Sequence, residues 1–211
     1  MIYDLTIPLN ENTLPFPDSG DPHMTWKHLV DHNVYKCQVC LFSMVTHLGT
    51  HVDAPLHYCK GGKTTAEIDL SAYAGPAVCL DMPDLGSGSE IDITEVMEKN
   101  RELIQQGDIV VLRTGYEELV GNEKYFDFKD FAENTGAILE SYGCKGIGFD
   151  MPSIDRSGLA HQAVLSRGMS IIESLINLRP LVGKRFYLSA VPLKFTDGDG
   201  SPVRAYAVMD D

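Results

Sequence analysis

Basic residues are scarce in this chain: 17 Lys+Arg stand against 30 Asp+Glu in 211 residues, so the formal charge is 17 − 30 = −13. Nucleic-acid binding draws on clustered Lys and Arg that release counterions from phosphates, so with no basic patch along the chain no nucleic-acid partner is expected. The first residues, Met1-Ile2-Tyr3-Asp4-Leu5-Thr6, carry neither a basic nor an apolar leader region, so no secretory signal is expected. No run of about 18 apolar residues is present, so no membrane span is expected either. Cysteines are few and odd in number (37, 40, 59, 79 and 144), which fits reduced thiols in the cytoplasm better than a disulfide framework.

Several site signatures are missing as well. There is no GxSxG, so the serine-hydrolase elbow is excluded. Gly61-Gly62-Lys63-Thr64 imitates the end of a phosphate-binding loop, but His57 stands where its first glycine belongs. Gly143-x-x-Gly146-x-Gly148 has the wrong order for a dinucleotide fingerprint and precedes a strand instead of following one. Asp197-Gly198-Asp199-Gly200 is too short for a calcium loop and reads as a turn. Cys37-x-x-Cys40 has no second pair to complete a metal site and is expected to pack in the core.

What is present is an ordinary globular balance, 44% apolar and 22% charged, in a chain long enough to bury about 70% of its unfolded surface. One domain over residues 1–211 is expected. Tyr3–Ile7 reads as a strand, and the prolines at 8, 15, 17 and 22 impose a loop over 8–22. Strand patterns follow within 35–46, at 77–81, 109–113, 146–150 and 186–193, and again near 202–208. Helical spacing covers 93–106, capped by Asp92 or Thr94, then 128–142 and 159–167. Residues 170–178 alternate, placing Ile171, Glu173 and Leu175 on one face of a strand. The alternation of strand and helix predicts an α/β layered fold.

The densest chemistry lies in His47-Leu48-Gly49-Thr50-His51-Val52-Asp53-Ala54-Pro55-Leu56-His57. Three imidazoles and a carboxylate all fall on odd positions. A helix turns about 100° per residue and would send Asp53 away from His47 and His51, whereas extended chain directs all four to one side. Residues four apart on a straight strand stand about 13 Å apart, while donors to one ion must come within about 2.0–2.2 Å of it. The segment must therefore bend, and Gly49 and Pro55 are where it can. Glu173 adds a carboxylate inside the apolar run 171–178, which is costly to bury unless something pairs with it.

His47-x-Gly49-Thr50-His51-x-Asp53-x-Pro55-x-His57 resembles the HxGTHxDxPxH motif of the cyclase family, which includes bacterial kynurenine formamidases and isatin hydrolases. The resemblance extends through Asp4-Leu5-Thr6, Thr114-Gly115, Asp150-x-Pro152-Ser153 and Ala160-His161-x-Ala163-Val164-Leu165. It implies a single layered β/β/α domain of the swivelling type. It also implies a cytoplasmic homodimer or homotetramer that hydrolyses a non-peptide carbon–nitrogen bond, with N-formylkynurenine of tryptophan catabolism as substrate. Two divalent ions per chain, Zn2+ first and Mn2+ second, are expected on His47, His51, Asp53, His161 and Glu173, with His57 as general base and acid. Where the family often carries Trp in the proline-rich loop, this chain has Phe16, flanked by Asp18 and Asp21. Phe16, Tyr125 (with Phe126) and Ser153 are expected to meet the substrate, and Thr50 to support the site. The alternatives are an isatin hydrolase-like enzyme or another cyclic amide or imide hydrolase, and a non-catalytic metal-binding protein, which would have no need of His57.

Overall fold

Every residue of Ile109–Arg113 is buried, as befits a strand covered on both faces. The computed structural model describes residues 1–17 and 20–209, so Asp18 lies outside the described residues. In chain order the elements are β1 (Ile2–Asp4), β2 (Thr25–Val30), α1 (His32–Tyr35), β3 (Val39–Ser43), β4 (His51–Asp53), β5 (Ala74–Asp81), α2 (Thr94–Lys99) and β6 (Ile109–Arg113). They continue as α3 (Thr135–Ser141), β7 (Gly146–Phe149), α4 (Leu159–Leu165), β8 (Ser170–Glu173), β9 (Arg185–Ser189), β10 (Gly200–Pro202) and β11 (Tyr206–Val208). None of these helices is long and apolar enough to cross a membrane.

Among the described residues, nine strands make one mixed sheet in the order β1-β11-β9-β5-β6-β7-β8-β4-β10, and β2 pairs with β3 in a separate hairpin. The central β5-β6-β7-β8 stretch is parallel and its flanks are antiparallel. Because strand side chains alternate, each central strand feeds two cores. Val78, Leu80, Val110, Leu112, Ile147 and Phe149 pack beneath helix residues Val96, Met97, Leu139, Ala160 and Val164. Ala77, Cys79, Ile109 and Val111 meet Leu188, Ala207, Val52 and Ile172 on the other face. That second core joins strands from both ends of the sheet, so the sheet curls. The curl is pinned where Thr6 bridges to Leu175 and the Ile176 amide donates to the Leu5 carbonyl.

The α/β expectation holds, and several boundaries differ for local reasons. The helix expected over 93–106 starts where Asp92 accepts from the Thr94 amide (2.8 Å), but it stops at Lys99. There the Asn100 side chain (2.8 Å) shares the Val96 carbonyl with its own backbone amide (3.3 Å), and the Arg101 amide then turns to the Glu98 carbonyl three residues back, which tightens the last turn and ends the helix. Of the helix expected over 128–142 only Thr135–Ser141 forms, because Phe131 pairs with Ile91 and donates to the Ile154 carbonyl instead. The strand expected to run to 178 ends at Glu173, since Ser174 (φ +59°) and Asn177 (φ +60°) are left-handed. Leu175 therefore joins Ile172 in the second core instead of sharing a face with Ile171. Tyr35 belongs to α1, and β2 carries no strand pattern that the sequence reading singled out. Cys37 is exposed and Cys40 half-buried on the hairpin, which corrects the expectation of core packing. All five cysteines are free thiols.

Candidate metal centre

The expected bend is built as follows. Gly49 takes φ +66°, a left-handed turn in which an added Cβ would also sit 2.6 Å from a Leu9 methyl. The chain then enters β4, where His51 and Asp53, two residues apart, share a face. Pro55 opens a single 3-10 turn, Pro55–His57, that swings His57 back toward the same side. In the antiparallel register of β4 and β8, His51 lies opposite Glu173. His161 arrives from α4, a helix buried on the face that carries Ala160, His161, Val164 and Leu165.

The donor atoms converge. Nδ1 of His47 lies 2.9 Å from Oδ1 of Asp53, and Nε2 of His51 lies 3.5 Å from the same oxygen and 3.3 Å from Oε2 of Glu173. Nε2 of His161 stands 3.6 Å from both Oδ2 of Asp53 and Oε1 of Glu173. His57 offers a nitrogen within 4.8 Å of donors on Asp53 and His161, and its ring stacks on His47 with centroids 3.9 Å apart. His51, Asp53, His161 and Glu173 are almost wholly buried. Oδ2 of Asp53 is buried with no hydrogen-bond partner, a cost of about 1–3 kcal/mol for a neutral polar group and more for a charged one. A carboxylate oxygen left bare amid imidazole nitrogens is the arrangement a divalent cation satisfies, so the donor set fits such an ion.

The opposite ring nitrogens are already held. Nδ1 of His51 donates to the Gly49 carbonyl (2.8 Å), Nδ1 of His161 to the Asp155 carboxylate, and Nε2 of His47 to Asp199 (3.2 Å). These bonds fix the rotation of each ring and leave its other nitrogen facing the cluster. Glu173 is fixed as well, accepting from the Ile154 amide at 2.8 Å. Asp155 and Asp199 escaped the sequence reading. Asp155 sits six residues before His161 in an unpatterned loop, and Asp199 lay in a segment read only as a turn.

Electrostatics follow from the contacts. Burial disfavours charge on His47, but Asp199 and Asp53 outweigh it and raise its pKa to about 10. His161 is raised to about 10 in the same way, burial being outweighed by Asp155 and Glu173. Burial opposes ionisation of Asp53, yet His47 with His51 and His161 holds its carboxyl well below the carboxylate range. Glu173 is lowered by His161 and His51 against burial and Asp53, and Asp155 falls to about 2 through its bonds to His161 and Ser157 against burial. The cluster is an anionic pocket that holds protons on imidazoles when nothing else neutralises it.

A cavity of about 450 Å³ opens beside His47, lined by Phe16, Tyr125 and Phe126 together with Asn10 and Asn12. Phe16 stands edge-on to Phe126 (5.8 Å) and Phe128 (6.2 Å). Tyr125 faces this cavity with its hydroxyl tied to the Asp150 carbonyl and the Ser174 hydroxyl. Ser153 is not among the lining residues; its hydroxyl donates to the Asp155 carbonyl (3.2 Å). Thr50 donates to the Ser174 carbonyl (2.6 Å) and accepts from the Ile7 amide, so it staples two loops at the rim. A larger cavity, about 690 Å³, lies under the hairpin between Trp26, Phe42 and Phe195 and includes none of the clustered histidines.

Residues 3–156 match a family model described as putative cyclase. The chain is 31% identical over 211 residues to the kynurenine formamidase of Bacillus mycoides (strain KBAB4), covering 96% of this chain and 94% of that one. It is 36% identical over 167 residues to the kynurenine formamidase of Erythrobacter litoralis (strain HTCC2594), covering 77% and 73%. Among solved structures, it aligns with one described as a predicted metal-dependent hydrolase from Bacillus stearothermophilus at TM-score 0.79 and 27% identity, covering 98% and 97%. An isatin hydrolase bound to thioisatinate shares the fold at TM-score 0.85 and 24% identity, covering 100% and 92%. Fold, donor cluster and relatives define a metal-dependent hydrolase. The chain belongs to the cyclase family, with kynurenine formamidases among its relatives.

Proposed function

We propose that this enzyme hydrolyses the formamide of N-formylkynurenine, releasing kynurenine and formate, with His47, His51, Asp53, His161 and Glu173 holding two divalent ions. The observation that carries the reading is that His47, His51 and His161 bring ring nitrogens within 2.9–3.6 Å of the Asp53 carboxylate, whose Oδ2 has no hydrogen-bond partner, while Glu173 closes the cluster against His51 and His161. Bound divalent ions supply hydroxide at neutral pH and polarise the scissile carbonyl. His57 removes a proton from the attacking water and returns it to the leaving aniline nitrogen, a role open to an imidazole because its ring nitrogens can both accept and donate a proton. Phe16 and Phe126 form the aromatic wall against which the substrate ring stacks, and Asn10 and Asn12 offer hydrogen bonds to its polar end. Imidazole and carboxylate donors suit Zn2+ and Mn2+ alike, and we take Zn2+ as the first choice. The relatives' role and the five free thiols support a cytoplasmic location, and the exposed Trp26, Leu41 and Phe42 of the hairpin support self-association.

Formate release from N-formylkynurenine, by protein loaded with Zn2+ or Mn2+ beside a chelated control, tests this. Metal-dependent release is expected. Fully metallated protein that releases none contradicts the formamidase assignment, and turnover of isatin by the same preparation would establish the ring-opening alternative.

A further inference from the structure

Asp199 stands between two histidines with different tasks. Its Oδ2 accepts from Nε2 of His47 at 3.2 Å and faces Nδ1 of His57 at 3.6 Å, while its Oδ1 accepts from the Thr46 hydroxyl at 2.9 Å. Its backbone is locked as well: the Asp199 carbonyl accepts from the Ala54 amide, and Gly200 pairs with Asp53 across β10 and β4. A side chain at 200 could not coexist with this arrangement, because a Cβ there would lie 2.5 Å from Cε1 and 2.9 Å from Nε2 of His47. The Asp199-Gly200 pair thus makes a seat for the His47 ring, with a carboxylate at its edge and open space at its face.

The two nitrogens of an imidazole point to opposite sides of the ring. His47 turns Nδ1 to Asp53 and Nε2 to Asp199, so its ring stands between the two carboxylates, while Asp199 also reaches His57, and His47, His57 and Asp199 lie close enough together to hold an ion of their own. We propose that Asp199 is a positioning residue shared by His47 and His57: it fixes the ring nitrogen His47 presents to the metal and keeps His57 stacked against that ring in its working orientation. Asp199 is not itself a ligand. This rests on the reading of the cluster as a metal centre with His57 as its base.

The test uses the full-length Asp199→Ala and Asp199→Asn proteins. Zn2+ is titrated into the metal-free forms, and kcat and KM are measured at saturating metal. Asp199→Ala is expected to keep the wild-type number of bound ions, to bind them about 10–100-fold more weakly, and to lose kcat with KM nearly unchanged. Asp199→Asn, whose amide oxygen still accepts from Nε2 of His47, is expected to recover the affinity to within a few-fold. Loss of one ion from Asp199→Ala would make Asp199 a ligand and overturn the assignment. Unchanged affinity and kcat would reduce it to a turn residue. The metal titration needs no substrate, so wild-type protein that binds Zn2+ without hydrolysing N-formylkynurenine would sink the substrate assignment and leave the His47 half of this one standing. Should Asp199→Ala fail to fold, Asp199→Asn decides alone, because a weak-binding, folded Asn variant contradicts positioning by an accepted hydrogen bond.

Discussion

His51 and Glu173 lie opposite each other across the β4–β8 ladder, with Nε2 of one 3.3 Å from Oε2 of the other. Residues far apart in sequence are thereby held at a separation set by the strand pairing. The site inherits the rigidity of the sheet: three of its five proposed ligands are strand residues, and His161 rides on a helix packed against the same core. Positions on regular elements hold their geometry better than positions on loops, as a metal site requires.

The protonation state of the cluster gives a pH dependence with a definite sign. His47 and His161 are raised from 6.5 to about 10. A raised folded-state pKa contributes stability that is fully present below the unfolded value of about 6.5 and is lost as pH climbs through about 10. Asp53, Asp155 and Glu173 are lowered, so their contribution is present above about pH 4.5 and lost as pH falls through the folded values. The thermal midpoint of metal-free protein should peak between about pH 4.5 and 6.5 and decline toward pH 10. Zn2+ competes with the imidazole protons, so the stabilisation it confers should grow over the same rise in pH. Thermal denaturation with and without Zn2+ checks both trends; a metal-free midpoint that climbs from pH 6.5 to 10 contradicts the pairings.

Substitution of His57 separates binding from chemistry. His57→Ala should retain the wild-type metal content, since the five other side chains remain, and should lose about 10²–10⁴-fold in kcat. Metal analysis and steady-state kinetics on one preparation decide it, and activity equal to wild type would remove His57 from its assigned role.

Gly136 links packing to the site. A Cβ at this position would lie 2.4 Å from the Ala163 carbonyl oxygen and 2.7 Å from its carbon, both backbone atoms of α4 that have little room to move. Gly136→Ala should push α3 from α4, costing about 1–3 kcal/mol in urea denaturation, and should weaken Zn2+ binding through displacement of His161. A variant as stable as wild type, with unaltered Zn2+ affinity, would show that the helix pair yields without disturbing the ligand.

Much of this was legible in the sequence, and the failures share a cause. The strands at 109–113 and 146–149 announce themselves as apolar runs because both faces are covered, and the 47–57 segment announces itself because its donors share one parity. Phe128 to Tyr142 has helical spacing throughout, yet its first half pairs with Ile91 and Ile154, a tertiary preference that no local pattern records. Leu175 keeps strand parity in the sequence and loses it in the fold because Ser174 turns left-handed. The clearest gap is Asp155 and Asp199. Each works by gripping the far side of an imidazole, and a partner supplied from a loop leaves no periodic trace.

The central claim is that one ion-binding centre is assembled from His47, His51, Asp53, His161 and Glu173. Anomalous diffraction from crystals grown with Zn2+ tests it most directly. The strongest peaks should lie within about 2.0–2.2 Å of Nδ1 of His47, Nε2 of His51 and His161, and carboxylate oxygens of Asp53 and Glu173. Peaks confined to other side chains, with Oδ2 of Asp53 still unpartnered, would contradict it.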